Sequence, residues 1–325
     1  MKNLYSDLFI VMQPLQYLQA LELKSSDRFN VLILLGANEK NQLNRIVKEH
    51  DWDRVVWLSY NGTFIDIIQH RKAIKKLLTS FTNLNEIVVS SYYNEFMNMV
   101  INHFPKKSRV LLEDGVANLL IDSSTRYISI KFRLKLSLCK LFGYNISPIN
   151  EAKFFTVFES DSGKIPKIAS SVIVNKYSNI RNKISNQEQS KDIYFVSSSF
   201  IKCGMISIKK YMVFLSKLAQ EYPSNTFNII LHRFDDLRNF TSLKYINNVN
   251  VINSVGPIEL YFIENNVNPY KVITAGSGAT ESLKLIYDID IDIVMPKLSN
   301  FNLTFQKEME LLALHFEESH SVKFI

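Results

Sequence analysis

The sequence predicts an α/β protein built on parallel sheets, and three observations point to it. Short apolar runs alternate with helical patterns along the chain. The alternation stops at a stretch rich in Asn, Ser, Lys and Gln, 174–191, and then restarts. The length, 325 residues, exceeds one ordinary core and suits two domains of about 150 residues each.

In the first half, 7–12 reads as a buried strand, and Pro14 suits the first turn of the helix that follows. Residues 31–35 form a second strand closed by Gly36, with a helix over 38–50. Further strands are expected at 55–58, 86–90 and 109–112, with helices at 64–78 and 94–103. Repeated strand–helix–strand units of this length predict a parallel sheet covered on both faces. In the second half, the strand 193–196 ends in Ser197-Ser198-Ser199, and Ser207 caps a helix reaching about Glu221. Strands at 226–231, 249–252, 271–274 and 291–294 follow, and Pro257 opens a helix at its favoured first position. The result is two Rossmann-like domains facing each other across a cleft, 1–173 and 192–325, joined by the linker 174–191.

Composition narrows the function classes. Hydrophobic residues at 46% and charged residues at 21% describe an ordinary globular protein. The formal charge of +7 suits a polyanionic partner: a nucleotide phosphate, an acidic glycan or an anionic membrane face. Basic residues are spread along the chain without a recognition motif, which argues against nucleic acid. Cys139 and Cys203 form no CxxC pair and no cluster with His, so neither a disulfide framework nor a structural zinc site is expected. Residues 1–20 mix Lys2, Asp7, Gln13 and Gln16 into their apolar positions, unlike a signal peptide. A cytoplasmic protein, at most peripheral to a membrane, is the expectation.

Three segments at strand ends could carry chemistry. Glu113-Asp114-Gly115 follows a buried strand directly, with Gly115 permitting a tight turn. One of two adjacent carboxylates, partly desolvated and beside a like charge, can be raised toward a useful base. Acids also cap helices, and the triplet alone is equally compatible with an acidic loop before a helix near Val116. His232 ends an apolar run and lies near Asp235, Asp236 and Arg238, where an imidazole can donate to a phosphate oxygen. A surface histidine paired with Asp235 is the plainer alternative. The run Ala275-Gly276-Ser277-Gly278-Ala279-Thr280 opens a helix with small residues, exposing amides at the positive end of its dipole. It lacks both GxGxxG spacing and a P-loop lysine. Glu259, in the first turn after Pro257, could accept the hydroxyls of a ribose or simply stabilise its helix.

Glu113-Asp114-Gly115, His232, Pro257-Ile258-Glu259 and Ser277, in that order, resemble the bacterial GT-B sialyltransferases. That group includes the lipooligosaccharide sialyltransferases of glycosyltransferase family 52 and the capsular polysialyltransferases. The helix beginning at Ser207, with Tyr211 and Leu215, is also similar to the segment before the family's histidine. The likeness covers most of 190–290 and the triplet. It implies a CMP-sialic acid donor, a bacterial surface glycan as acceptor, and an inverting transfer with no metal and no other cofactor. Glu113 would take the acceptor proton, with Asp114 as alternative or support. His232 would bind and protonate the departing CMP phosphate. Ser277, Gly278, Ala279 and Thr280 would hold that phosphate, and Glu259 the ribose. Ser198, Ser199 and Gly204 match the family's loop after the first strand of the second domain, a candidate to close over the donor. Two positions depart from the pattern: Arg233 stands where the family has proline, and Gly278 where it has a second hydroxyl. Arg233 could add a guanidinium to the phosphate site. The departures leave open another nonulosonate, a UDP-sugar, or a protein that binds sugar nucleotides or glycans without catalysis.

The segment 131–142 is both basic and apolar. Its first residues alternate like a strand, and a helix is also possible. Contact with an anionic membrane face and a core segment whose lysines reach solvent are both compatible with it.

Overall fold

The computed structural model describes residues 5–36, 40–60, 71–81, 83–114, 121–122, 129–159, 165–182, 184, 188–232, 235–254, 256–317 and 320–325. The chain divides into two units, Met1–Lys176 and Tyr177–Ile325.

The first unit holds β1 (Ser6–Val11), β2 (Phe29–Leu35), β3 (Arg54–Leu58), β4 (Leu84–Val89), β5 (Ser108–Leu112), β6 (Ala152–Thr156) and β7 (Ala169–Val174). They pair in parallel in the order β3-β2-β1-β4-β5-β6-β7. The helices described here are α1 (Pro14–Leu23), α2 (Lys40–Ile46), α3 (Arg71–Thr79), α4 (Glu95–His103) and α5 (Ile130–Leu141). The central strands are apolar on consecutive residues because both faces are covered: Leu8, Phe9, Ile10 and Val11 of β1 are all buried. Asn94 caps α4 by accepting the Met97 amide at 3.1 Å, which satisfies one of the helix's orphan donors.

The second unit repeats the plan with β8 (Gln189–Val196), β9 (Phe227–Leu231), β10 (Val249–Asn253), β11 (Asn268–Thr274), β12 (Ile291–Met295) and β13 (Val322–Phe324). Their order is β10-β9-β8-β11-β12-β13, again parallel. Its helices are α6 (Ser178–Arg181), α7 (Ile208–Gln220), α8 (Ile258–Glu264), α9 (Thr280–Tyr287) and α10 (Leu303–Glu317). In α7 the buried residues are Tyr211, Phe214, Leu215, Leu218 and Ala219, one stripe at helical spacing. Ser207 caps it, its hydroxyl accepting the Lys210 amide.

Each sheet therefore reverses strand order once, between β1 and β4 and between β8 and β11. Open α/β sheets bind ligands in the crevice beyond the strand tips at that reversal.

Several expectations shift. The helix expected over 38–50 is α2 followed by a short 3₁₀ turn at Glu49–Asp51, and the part of 64–78 that is described is α3. The stretch 174–191 contains α6 and the first residues of β8, because Ile180 and Ile184 are buried there despite the polar composition. Strands β6, β7 and β13 were not anticipated. β7 opens with exposed serines, and β13 is only three residues long, so neither presents a sustained apolar run. Pro257 is the N-cap of α8 rather than its first helical residue. The segment 131–142 is helical, as α5.

Candidate functional site

In the first unit, the tips of β1, β4 and β5 are tied by one side chain. Gln16, 2% exposed in the first turn of α1, accepts the backbone amides of Met12 at 2.9 Å and Gln13 at 3.0 Å. Its amide nitrogen donates to the Ser90 carbonyl at 3.1 Å and to Asp114 Oδ1 at 2.8 Å. Asp114 also receives a hydrogen bond from the Ser91 side chain. Burial holds the Asp114 carboxyl above the usual carboxylate range, against the opposing effect of those two donors. The raising influence is burial, not the like charge expected from the sequence.

Glu113 lies at the same strand tip but turns the other way. Its backbone amide donates to the Phe155 carbonyl at 3.0 Å, prolonging the β5–β6 ladder by one residue. Successive side chains of an extended chain alternate in direction. Glu113 Oε2 accepts the Thr156 hydroxyl at 2.6 Å and the Val157 amide at 3.0 Å, and the residue is 8% exposed. The two carboxylates thus have different partners: Glu113 braces β6, and Asp114 meets the crevice between β1 and β4. Gly115 and the helix expected near Val116 lie outside the described residues.

In the second unit, the tips of β8, β9 and β11 carry the candidates. Ser198 Oγ donates to the Ala275 carbonyl at 3.3 Å, joining the β8 and β11 tips across the strand-order reversal. Ser197 Oγ lies 3.0 Å from the Tyr211 hydroxyl and 3.3 Å from Asp235 Oδ2. His232 donates its backbone amide to the same Oδ2 at 3.3 Å, and its carbonyl accepts the Asp235 amide at 2.8 Å. Asp235 Oδ1 is buried with no hydrogen-bond partner. Burial pushes the Asp235 carboxyl up to about 6, opposed by the His232 amide and the Ser197 hydroxyl. The fully buried Tyr211 hydroxyl is likewise pushed up by desolvation. Arg233 lies outside the described residues.

Ser199 Oγ is 3.5 Å from Cys203 Sγ, and Gly204 adopts a left-handed φ of 68°. The loop that contains them is pinned: the Gly204 carbonyl accepts Asn302 Nδ2 at 2.6 Å, and Ile206 bridges to Phe301. The expected closing loop is therefore a compact, tethered turn in this structure.

The turn before α9 is partly open. Gly276 has φ 75°, and a Cβ there would meet Leu312 Cδ2 at 3.2 Å. That conformation swings Ser277, Gly278 and Ala279 outward; Gly278 is exposed. Ser277 Oγ accepts the Ala279 amide at 3.2 Å. Thr280 differs from its neighbours. It is fully buried, its hydroxyl donating to the Ser277 carbonyl at 2.7 Å and lying 2.9 Å from Thr274 Oγ1. Its side chain locks the turn from below, leaving Gly278 as the exposed residue of the turn.

Glu259 is 2% exposed, and its Oε1 accepts the Ser282 hydroxyl at 2.8 Å. Burial holds its carboxyl above the ordinary range. In this position it clamps α8 to α9 and offers no free edge to a ribose. Among the described residues, no group of three or more His, Cys, Asp or Glu is placed to hold a metal ion. Sequence reasoning passed over Gln16 and gave Asp235 only a supporting part. Both are polar residues within a few positions of a strand tip, the one signal that could have found them.

No family model matches the chain, and no curated protein matches it. Solved structures do. The UDP-GlcNAc 2-epimerase of Neisseria meningitidis bound to UDP-GlcNAc is similar at 14% identity, over 89% of this chain and 82% of that one, with a TM-score of 0.54. The UDP-GlcNAc 2-epimerase of Methanocaldococcus jannaschii is similar at 13% identity, over 100% of this chain and 89% of that one, with a TM-score of 0.54. A UGT transferase from Siraitia grosvenorii in complex with UDP is similar at 10% identity, over 98% of this chain and 86% of that one, with a TM-score of 0.55. The shared property is the fold: GT-B, with two Rossmann-like α/β domains.

Proposed function

We propose that this chain is a glycosyltransferase that draws on a nucleotide-sugar donor, with CMP-sialic acid as the donor and a hydroxyl of a bacterial surface glycan (lipooligosaccharide, O-antigen or capsule) as the acceptor. The observation that carries the reading is Asp114: a carboxyl raised by burial, held at a strand tip beside the β1–β4 reversal by Gln16 and Ser91. Raised proton affinity is what a general base for a sugar hydroxyl needs near neutral pH. Glu113 has one carboxylate oxygen occupied by Thr156 and Val157, so it positions the tip while Asp114 takes the proton.

The reaction is a single displacement with inversion. The acceptor oxygen forms a bond to the anomeric carbon as its proton passes to Asp114. The bond from that carbon to the phosphate oxygen breaks, and the electron pair leaves with CMP. His232 binds and protonates the departing phosphate, and the Ser277 hydroxyl with the amide of Gly278 holds its charge. Asp235 orients the loop of His232 through the backbone amide. Neither metal nor a further cofactor has a part in this scheme, and a chelator is expected to leave turnover unchanged. The protein works in the cytoplasm, where two free thiols remain reduced.

A second reading replaces the donor with a UDP-sugar. It is supported by the UDP-GlcNAc and UDP found with two of the similar structures. Thermal-shift measurement against CMP, UDP, GDP and CMP-sialic acid separates the two. A ligand at a hundred times its dissociation constant stabilises by about 2.7 kcal/mol. Stabilisation by CMP and release of CMP from CMP-sialic acid support the first reading. Stabilisation by UDP alone replaces it with the second, and no response to any of the four would remove the donor site.

A further inference from the structure

Helix α5 has two apolar faces, and only one of them is packed. Phe132 and Cys139 point inward and are buried, and Ser129 caps the helix by accepting the Phe132 amide at 3.2 Å. On the opposite side Ile130, Leu134, Leu138 and Leu141 recur at i, i+4, i+8 and i+11, forming one stripe. Their exposures are 78%, 64%, 49% and 83%, far beyond a scatter of single surface leucines. Phe142, 48% exposed, extends the apolar surface past the helix end.

The stripe has basic borders. Lys131 lies on one side, Arg133 and Lys140 on the other, and all three are exposed. Lys135 is not part of the border, because it forms an ion pair with the buried Glu95 of α4. The helix contains no acidic residue. An outward apolar stripe flanked by cations is the pattern of a helix lying in a lipid headgroup layer, leucines inserted and ammonium groups at the phosphates. Across a two-fold interface the same face would bring like charges together, which argues against a second copy.

We propose that α5 docks the protein on an anionic bilayer surface, with Ile130, Leu134, Leu138 and Leu141 inserted and Lys131, Arg133 and Lys140 on lipid phosphates. No helix among the described residues is long and apolar enough to cross a membrane, so the contact is peripheral. The proposal is independent of the transfer reaction, since vesicle binding is read without donor or acceptor.

The test is flotation of the full chain with phosphatidylcholine vesicles and with vesicles enriched in phosphatidylglycerol. The wild type is expected to float with the anionic vesicles and to release as salt is raised. Neutralising one bordering cation should weaken binding about fivefold, and Lys131→Gln/Arg133→Gln/Lys140→Gln together roughly a hundredfold. Leu134→Ser/Leu138→Ser should abolish flotation with at most a small drop in melting temperature, because both side chains are largely open to solvent. The charge variants disturb no apolar packing and keep the test valid should the serine variant misfold. Failure of the wild type to float, or flotation of the charge variants as wild type, would overturn the proposal. Light scattering that finds a dimer separated by Leu134→Ser/Leu138→Ser would assign the stripe to a second copy instead.

Discussion

At the scale of single residues, the neighbouring carboxyls of Glu113 and Asp114 have opposite assignments. Asp114→Asn removes the proposed base and is expected to lower kcat roughly 10²–10⁴-fold while leaving the melting curve near wild type. Glu113→Gln keeps a hydrogen-bonding oxygen for Thr156 and Val157, so its loss of rate should be smaller. The reverse ranking would move the base to Glu113. Asp235 makes a separate prediction. Its folded-state carboxyl is raised to about 6, above the unfolded value of about 3.9, so the folded chain binds the extra proton between those limits. Its contribution to stability is therefore fully present below about pH 4 and is lost as pH rises through 6. Asp235→Asn should melt above the wild type at pH 7.5 and lose that advantage below about pH 4. Thermal melts of both proteins across the range measure it. An equal melting temperature at pH 7.5 would show that the ionised carboxyl carries no burial cost in the folded chain.

At the scale of elements, the turn between β11 and α9 depends on Gly276. An L-residue with positive φ costs about 1–2 kcal/mol, and the new methyl would also press on Leu312. Gly276→Ala should therefore destabilise by at least about 1 kcal/mol and weaken nucleotide binding as well, read by denaturant titration and thermal shift. Wild-type affinity in that variant would remove Ser277 and Gly278 from the phosphate site. The turn was legible in the sequence because small residues between an apolar run and a helical pattern have few other uses. The strand tips carrying Asp114 and His232 were legible for a related reason: fully buried parallel strands are continuous apolar runs with abrupt ends. The hydrogen bonds at those tips were not. Gln16 and Asp114 are joined across 98 positions of sequence, and nothing local to either residue announces the other. Glu259 shows the opposite failure. A first-turn acid suits a ribose and a buried clamp equally, and only the packing of Ser282 decides which surroundings it has.

At the scale of the molecule, both units have cores of their own, one around Phe96, Met97 and Leu111 and one around Phe195, Phe214 and Leu215. The fragment Tyr177–Ile325 is therefore expected to fold alone, with a cooperative melt and a CMP-induced shift like that of the full chain. A fragment without near-ultraviolet dichroism would show that the second core needs the first. Two domains were readable from length and from the restart of the strand pattern, and the division at Lys176 falls inside the polar stretch 174–191, whose composition hid only the ordered structure around buried Ile180 and Ile184. The all-parallel pairing has a further effect, on the order of events during synthesis. The inner strand β1 pairs with β4, whose first residue is Leu84, so no local hairpin can shelter it as it leaves the ribosome. Its β2-facing edge can pair early, but its β4-facing edge remains bare while the intervening chain is translated. Nascent chains of this protein are thus expected to engage holding chaperones early, with release timed to the emergence of Val89 at the end of β4.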